Sequence, residues 1–223
     1  MKSFIKGVWS RTRKEPGARR LEHARDLLVG DIIQITDSYA LPPMLQNQSL
    51  RVVSASTYQF EYEFSTSFSL EGQGDEKMDL IVEEEDGREN LAFTLKVSRD
   101  TIEELFDMDQ FAELFEGEAP AVLDRQSEPE DLSGWTAPLY RQGSQAERGF
   151  FYSKDYRSTR PPDEEGEGEP FDYYAATSDD GGHAIEIEVW TGGETDVFVT
   201  MYRPISDIKE LWPGSTGTDD DDS

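Results

Sequence analysis

A chain of 223 residues with no cysteine carries a formal charge of −27. Disulfides, thiolate metal sites and cysteine nucleophiles are excluded, duplex nucleic acid is disfavoured because its phosphates would be repelled, and no apolar run approaches the roughly 20 residues of a membrane span. The length allows one large domain or two small ones, with a core that needs no staples.

The first thirty residues reverse the charge. Eight cations oppose three acids there, a balance of +5, so residues 31–223 carry −32 against the total of −27. They lack the apolar segment and small-residue cleavage site of a secretory signal, and a cytoplasmic location is expected. On a helix, Phe4, Ile5, Val8 and Trp9 form one stripe, with Lys2, Lys6, Arg11, Arg13 and Lys14 around it. That composition suits an anionic membrane surface or a partner. It also suits a helical arm docked on the acidic body. Gly7 weakens the helix by about 1 kcal/mol, and Pro16-Gly17 ends the arm.

Leu21 to Leu28 is expected to form one or two helical turns, and Val29-Gly30-Asp31 leads into a strand at Ile32–Ile35. Pro42-Pro43 marks a loop. Residues 50–64 are strongly β: Tyr58, Phe60, Tyr62 and Phe64 alternate with Gln59, Glu61 and Glu63, which predicts one aromatic face, either a side of a core or a binding platform. In 79–106, the runs Leu80–Val82 and Leu91/Phe93/Leu95/Val97 flank Asp86-Gly87, a hairpin signal because both residues tolerate positive φ. Asp100 and Glu103 then fit a capping box, and Ile102, Leu105 and Phe106 make the stripe of a short helix. A second helix is predicted from Asp107 to Gly117, capped by Asp107 or Asp109, with Phe111, Leu114 and Phe115 inward.

An acid- and proline-rich connector follows, and Pro138 demotes any strand in 135–140 to an edge. Arg141, Arg148, Lys154, Arg157 and Arg160 are interleaved with Phe150, Phe151, Tyr152 and Tyr156. Such a cluster stacks on single-stranded nucleic acid or pairs with the protein's own acids. Residues 161–170 are an acidic loop, Phe171–Thr177 a strand, and Asp179–Gly182 a turn. Residues 185–212 then repeat the grammar of 79–106 without a gap. At an offset of 106, Gly192-Gly193 falls on Asp86-Gly87, Thr200 on Thr94, Ile208 on Ile102, Leu211 on Leu105 and Trp212 on Phe106. Two copies of a hairpin-plus-helix unit are the expectation.

No site chemistry stands out. His23 and His183 give no metal-ligand spacing, and there is no nucleophile elbow, Walker loop or dinucleotide fingerprint. Asp107-x-Asp109 lacks the glycine and third ligand of a calcium loop. Carboxylates are too numerous for a general acid/base pair to be singled out. No catalytic residue, cofactor or metal ligand is assigned.

The basic leader, the Leu28-Val29-Gly30-Asp31-Ile32 lead-in and the acidic β-rich body are similar in layout to an uncharacterised bacterial family encoded near phage-shock-protein-A-like membrane-stress proteins. The resemblance implies a cytosolic accessory factor near the inner membrane face and transfers no site residue.

The expected fold is α+β and mainly antiparallel β, with two similar β-meander-plus-short-helix halves packed together. The expected organisation is a leader over 1–26, a first half over 27–117, a linker over 118–134, a second half over 135–213 and a disordered tail over 214–223. The expected role is a non-enzymatic adaptor: the acidic body binds a protein partner, and the nine leader residues named above touch membrane or partner. The alternatives are an acidic decoy mimicking nucleic acid, or a hydrolase built on convergent carboxylates.

Overall fold

Alternation of apolar and polar residues dominates the chain, and strands dominate the structure. The computed structural model describes residues 19–61, 63–74, 77–85, 87–117, 119–161 and 168–214. The leader residues Lys2, Phe4, Ile5, Lys6, Val8, Trp9, Arg11, Arg13 and Lys14 lie outside the described residues, as does the tail beyond 214. The strands are β1 (Ile32–Ile35), β2 (Ser49–Phe60), β3 (Glu63–Glu71), β4 (Lys77–Glu85), β5 (Arg88–Val97), β6 (Val122–Asp124), β7 (Leu139–Tyr152), β8 (Glu169–Ser178), β9 (His183–Trp190), β10 (Thr195–Pro204) and β11 (Ile208–Trp212). Between β5 and β6 lie two short helices, α1 (Arg99–Leu105) and α2 (Met108–Glu116).

All pairings are antiparallel, in the order β11-β1-β2-β3-β4-β5-β10-β9-β8-β7-β6. A further pairing of β2 with β7, from Thr57↔Tyr152 to Phe60↔Gly149, joins the sheet to itself. The eight strands β2-β3-β4-β5-β10-β9-β8-β7 thus form a closed barrel. Strands β1 and β11 extend from the first half of β2, and β6 from the first half of β7. Each of these long strands changes partner along its length, and each carries register shifts before the change, in β2 between Val52 and Ser54 and in β7 between Gln142 and Glu147. A bulge adds a residue to one strand and bends it, which is how a sheet turns a corner toward closure.

The barrel overturns the expected α+β fold of two packed halves. The two hairpins form, around Gly87 and Gly192-Gly193. Their second strands, however, pair with each other instead of packing as separate sheets. Thr94 faces Thr200 across β5 and β10, with Leu91↔Arg203 and Val97↔Val197 at equal distances on either side. The helix expected over Ile208–Trp212 is strand β11. The residue matched to Ser98, the N-cap of α1, is Pro204, which offers no side-chain acceptor to a first helical turn. After a single 3-10 turn at Ile205–Asp207 the chain extends along the edge of β1, pairing Trp212 with Ile32. In α1 itself the cap is Ser98, whose hydroxyl accepts from Thr101 N, rather than Asp100; Glu103 pairs instead with Arg99 at 2.8 Å. Asp107 caps α2 as expected, Gly117 ends it in the left-handed conformation, and Phe115 is half exposed.

One face of the barrel wall is apolar. Leu80, Phe93, Ile185, Ile187 and Val199 are fully buried, in one cluster with Leu27, Ile33, Ile102, Phe106, Leu123 and Trp135 from the segments outside the barrel. Each such side chain contributes roughly 1.5–3 kcal/mol by leaving water. The expected aromatic ladder is split, because the chain reverses at Glu61 (φ 42°). Tyr58 and Phe60 stay on β2, while Phe64, on β3 opposite Gln59, goes to the other side and is 46% exposed. Much of the basic cluster pairs internally: Arg141 with Asp179 at 2.8 Å, Arg148 with Asp172 at 2.9 Å, and Arg157 with Asp155.

Closure depends on Gly149. It lies between Phe60 of β2 and Phe171 of β8, and a Cβ there would fall within 3.0 Å of three ring atoms of Phe171. The missing side chain lets that ring lie across β7 and meet Phe60 edge-on at 5.6 Å. Gly149→Ala is expected to destabilise the protein by about 1–3 kcal/mol through overpacking, read as a lower denaturation midpoint. An unchanged midpoint would show that the ring relocates freely.

Candidate binding cavity in the barrel

On β9 the residues Ile185, Ile187 and Val189 belong to or pack against the apolar cluster. Period-2 alternation therefore sends Glu186, Glu188 and Trp190 to the other face. The same parity in the neighbouring strands gives that face Tyr58, Phe60, Ser67, Asp79, Thr94, Phe171, Tyr173, Phe198 and Thr200. This face looks into the barrel, because side chains meet across strands that do not pair. Tyr58 of β2 lies against Glu188 of β9, and Phe60 of β2 meets Tyr173 of β8 at 5.2 Å. The cavity has a volume of about 860 Å³, within the usual range for a small-molecule site. Strands β3 and β4 pair only from Ser67↔Ile81 to Glu71↔Lys77. Their other ends diverge, and Arg25, Phe64 and Glu84 line the cavity there.

A polar network anchors one wall. Thr200 donates to Glu186 Oε2 at 2.6 Å, Tyr173 donates to Glu186 Oε1 at 2.8 Å, and Thr94 Oγ1 is 3.0 Å from Thr200 Oγ1. Both oxygens of Glu186 are therefore engaged. Glu188 differs. It is 6% exposed, and its Oε2 is buried with no hydrogen-bond partner among the described residues. A buried acceptor left without a donor costs about 1–3 kcal/mol. Desolvation pushes the Glu188 carboxyl from an ordinary 4.5 up to about 7, and the neighbouring Tyr58 hydroxyl opposes the shift. Burial also raises Asp79, against the hydrogen bond of 2.8 Å that Ser69 gives it. The hydroxyls of Tyr58, Tyr173 and Tyr202 are all pushed up, first by burial and then by nearby carboxylates, so they serve as donors.

The cations around this cavity are paired with acids. Arg25 pairs with Glu84 and Glu89, Arg157 with Asp155, and Lys96 with Asp196 at 2.7 Å. Among the described residues no group of three or more His, Asp or Glu side chains is arranged to hold a metal ion. His23 precedes the 3-10 turn at Ala24–Asp26, and His183 opens β9 with a buried Nδ1; the structure does not bring them together in a site.

Sequence reasoning missed Asp79, Glu186 and Glu188 because acids are everywhere in this chain. The available signal was the alternation of Glu186 and Glu188 with Ile185, Ile187 and Val189, which gives one strand an acidic face and an apolar face. It does not say which face is enclosed. Compared with protein-family models, curated proteins and solved structures, the chain matches none of them. Fold and cavity together define an eight-stranded antiparallel barrel with an acidic, aromatic interior.

Because the folded Glu188 carboxyl titrates near 7 and an unfolded one near 4.5, the folded state holds more protons between these values. Stability contributed at this site therefore falls as pH rises through that window, by about 3 kcal/mol overall. Glu188→Gln is expected to flatten this part of the pH–stability curve and to be the more stable chain at pH 8, measured by denaturant unfolding across pH. Parallel curves for the two chains would contradict the assignment.

Proposed function

We propose that this chain is a ligand-binding barrel whose interior is the binding site, and that its role is non-enzymatic. The observation that carries the reading is Glu188: a carboxyl group 6% exposed, whose buried Oε2 has no partner among the described residues, on the wall of an 860 Å³ cavity. Folding alone gives no return for that arrangement, since a buried polar group left unpaired is destabilising. A ligand that meets Oε2 converts the cost into affinity. Protein purified without denaturation and examined by native mass spectrometry is expected to carry, or to accept from a metabolite mixture, one small molecule per chain. Glu188→Gln is expected to weaken retention at least tenfold, and Tyr58→Phe by a smaller factor. No adduct, together with no metabolite that raises the melting temperature, counts against the reading.

The accessory role belongs to the same proposal and rests on the charge split between residues 1–30 and the rest. No helix among the described residues is long and apolar enough to cross a membrane, so the proposed contact is peripheral, through Phe4, Ile5, Val8 and Trp9 and the cations around them. Co-sedimentation with anionic vesicles is expected to be salt-sensitive and to vanish on deletion of 1–15. Retained binding after that deletion assigns the contact to the body.

One observation favours hydrolysis as a second reading. Glu186, held by Thr200 and Tyr173, and Glu188, with a raised pKa, stand two residues apart on one strand, and carboxyls in unlike environments are what acid/base catalysis uses. Turnover of a glycoside or ester that disappears in Glu188→Gln would support it; retention of an unchanged ligand supports binding.

A further inference from the structure

The charge of the cavity is graded with depth. Glu188 is the most buried acid, Asp79 and Glu186 are partly buried, and Glu63, Glu83 and Glu84 are exposed. The two cations on the lining are engaged, Arg25 with Glu84 at the opening and with Glu89, and Arg157 with Asp155. Interleaved with these acids are the rings of Tyr58, Phe60, Tyr173 and Phe198. A ring face attracts an ammonium ion, and its apolar body takes methylene groups. A divalent metal would need several converging oxygens, which the described side chains do not supply. A flexible chain of ammonium groups separated by methylenes asks for what is there: separate carboxylates at successive depths, with aromatic surface between them.

Resting on the reading of the barrel interior as a ligand site, we propose that its ligand is a linear aliphatic polyamine, with its innermost ammonium donating to Glu188 Oε2 and its outer ammonium groups lying among the acids of the opening. Glu188 then gains its missing donor. Tyr58, which lies against the same carboxyl group, acts as a positioning residue by orienting it. Electrostatic attraction by the body, which carries −32 beyond residue 30, would draw a polycation in, so the on-rate falls with salt.

The test is titration calorimetry of spermidine into the full chain at near-physiological salt. One site per chain is expected. Glu188→Gln should weaken it at least tenfold and Tyr58→Phe by a smaller factor, while Glu103→Gln, an exposed acid on α1 paired with Arg99, should leave it unchanged. A diol of the same length should not bind. Weak multisite binding that all variants share equally would mean adventitious attraction to an acidic surface and would overturn the proposal. If a neutral or anionic metabolite occupies the barrel and spermidine does not compete, the polyamine is wrong and the ligand-binding reading stands. If neither spermidine nor any metabolite binds the folded full chain, both fail.

Discussion

Four residue pairs between β2 and β7 turn a sheet into a barrel. Without them the chain would be an open, twisted ladder whose polar face is bathed in water on every strand. With them, that face is enclosed. The pairing requires each strand to leave one neighbour for another partway along, hence the bulges in β2 and β7, and it requires the seam to be thin where rings from either side cross it. Gly149 provides the thinness. A hydrogen atom in place of a side chain lets Phe171 reach over β7 to Phe60 and Tyr58, so the closure is sealed by aromatic contacts as well as by backbone hydrogen bonds.

Enclosure changes the chemistry of ordinary residues. Glutamates on the polar face of an exposed strand would be solubilising groups with ordinary acidity. Inside the barrel, Glu188 loses water and is held partly neutral near pH 7, while Glu186 two residues away is satisfied by a threonine and a tyrosine. The difference between them lies in neighbours that come from other strands. Apolar packing, by contrast, is displaced to the outer side of the wall, where the segments before β2, between β5 and β7, and at β11 cover it.

Local structure was largely legible in the sequence. The hairpin turns, the strand at Ile32–Ile35, the Asp107 cap and the Gly117 stop are fixed by short-range chemistry, namely φ preference, side-chain acceptors and period-2 patterning. The shape of the sheet was not. Alternation says that a strand has two unlike faces but is silent on which face a closed sheet turns inward, so the acids of β9 looked like surface. The helix expected at Ile208–Trp212 failed for a different reason: an apolar i, i+3, i+4 spacing fits a short strand as well, and Pro204 together with the open edge of β1 decided between them. The leader, which carried most of the functional expectation, falls outside the described residues, and the cavity that now carries it is assembled from acids that no spacing rule distinguishes.

The matched threonines at the β5–β10 seam have one more consequence. By position Thr94 and Thr200 are equivalent, each facing the other at the centre of the pairing. By chemistry they are not. A carboxylate only accepts, so the Thr200 hydroxyl gives its single proton to Glu186. Its oxygen must then receive the proton of Thr94. One glutamate on one side thus sets the sense of both hydroxyls and makes a near-symmetric seam polar. A glutamate of β9 thus fixes the direction of a hydrogen-bond chain that runs through β10 to β5.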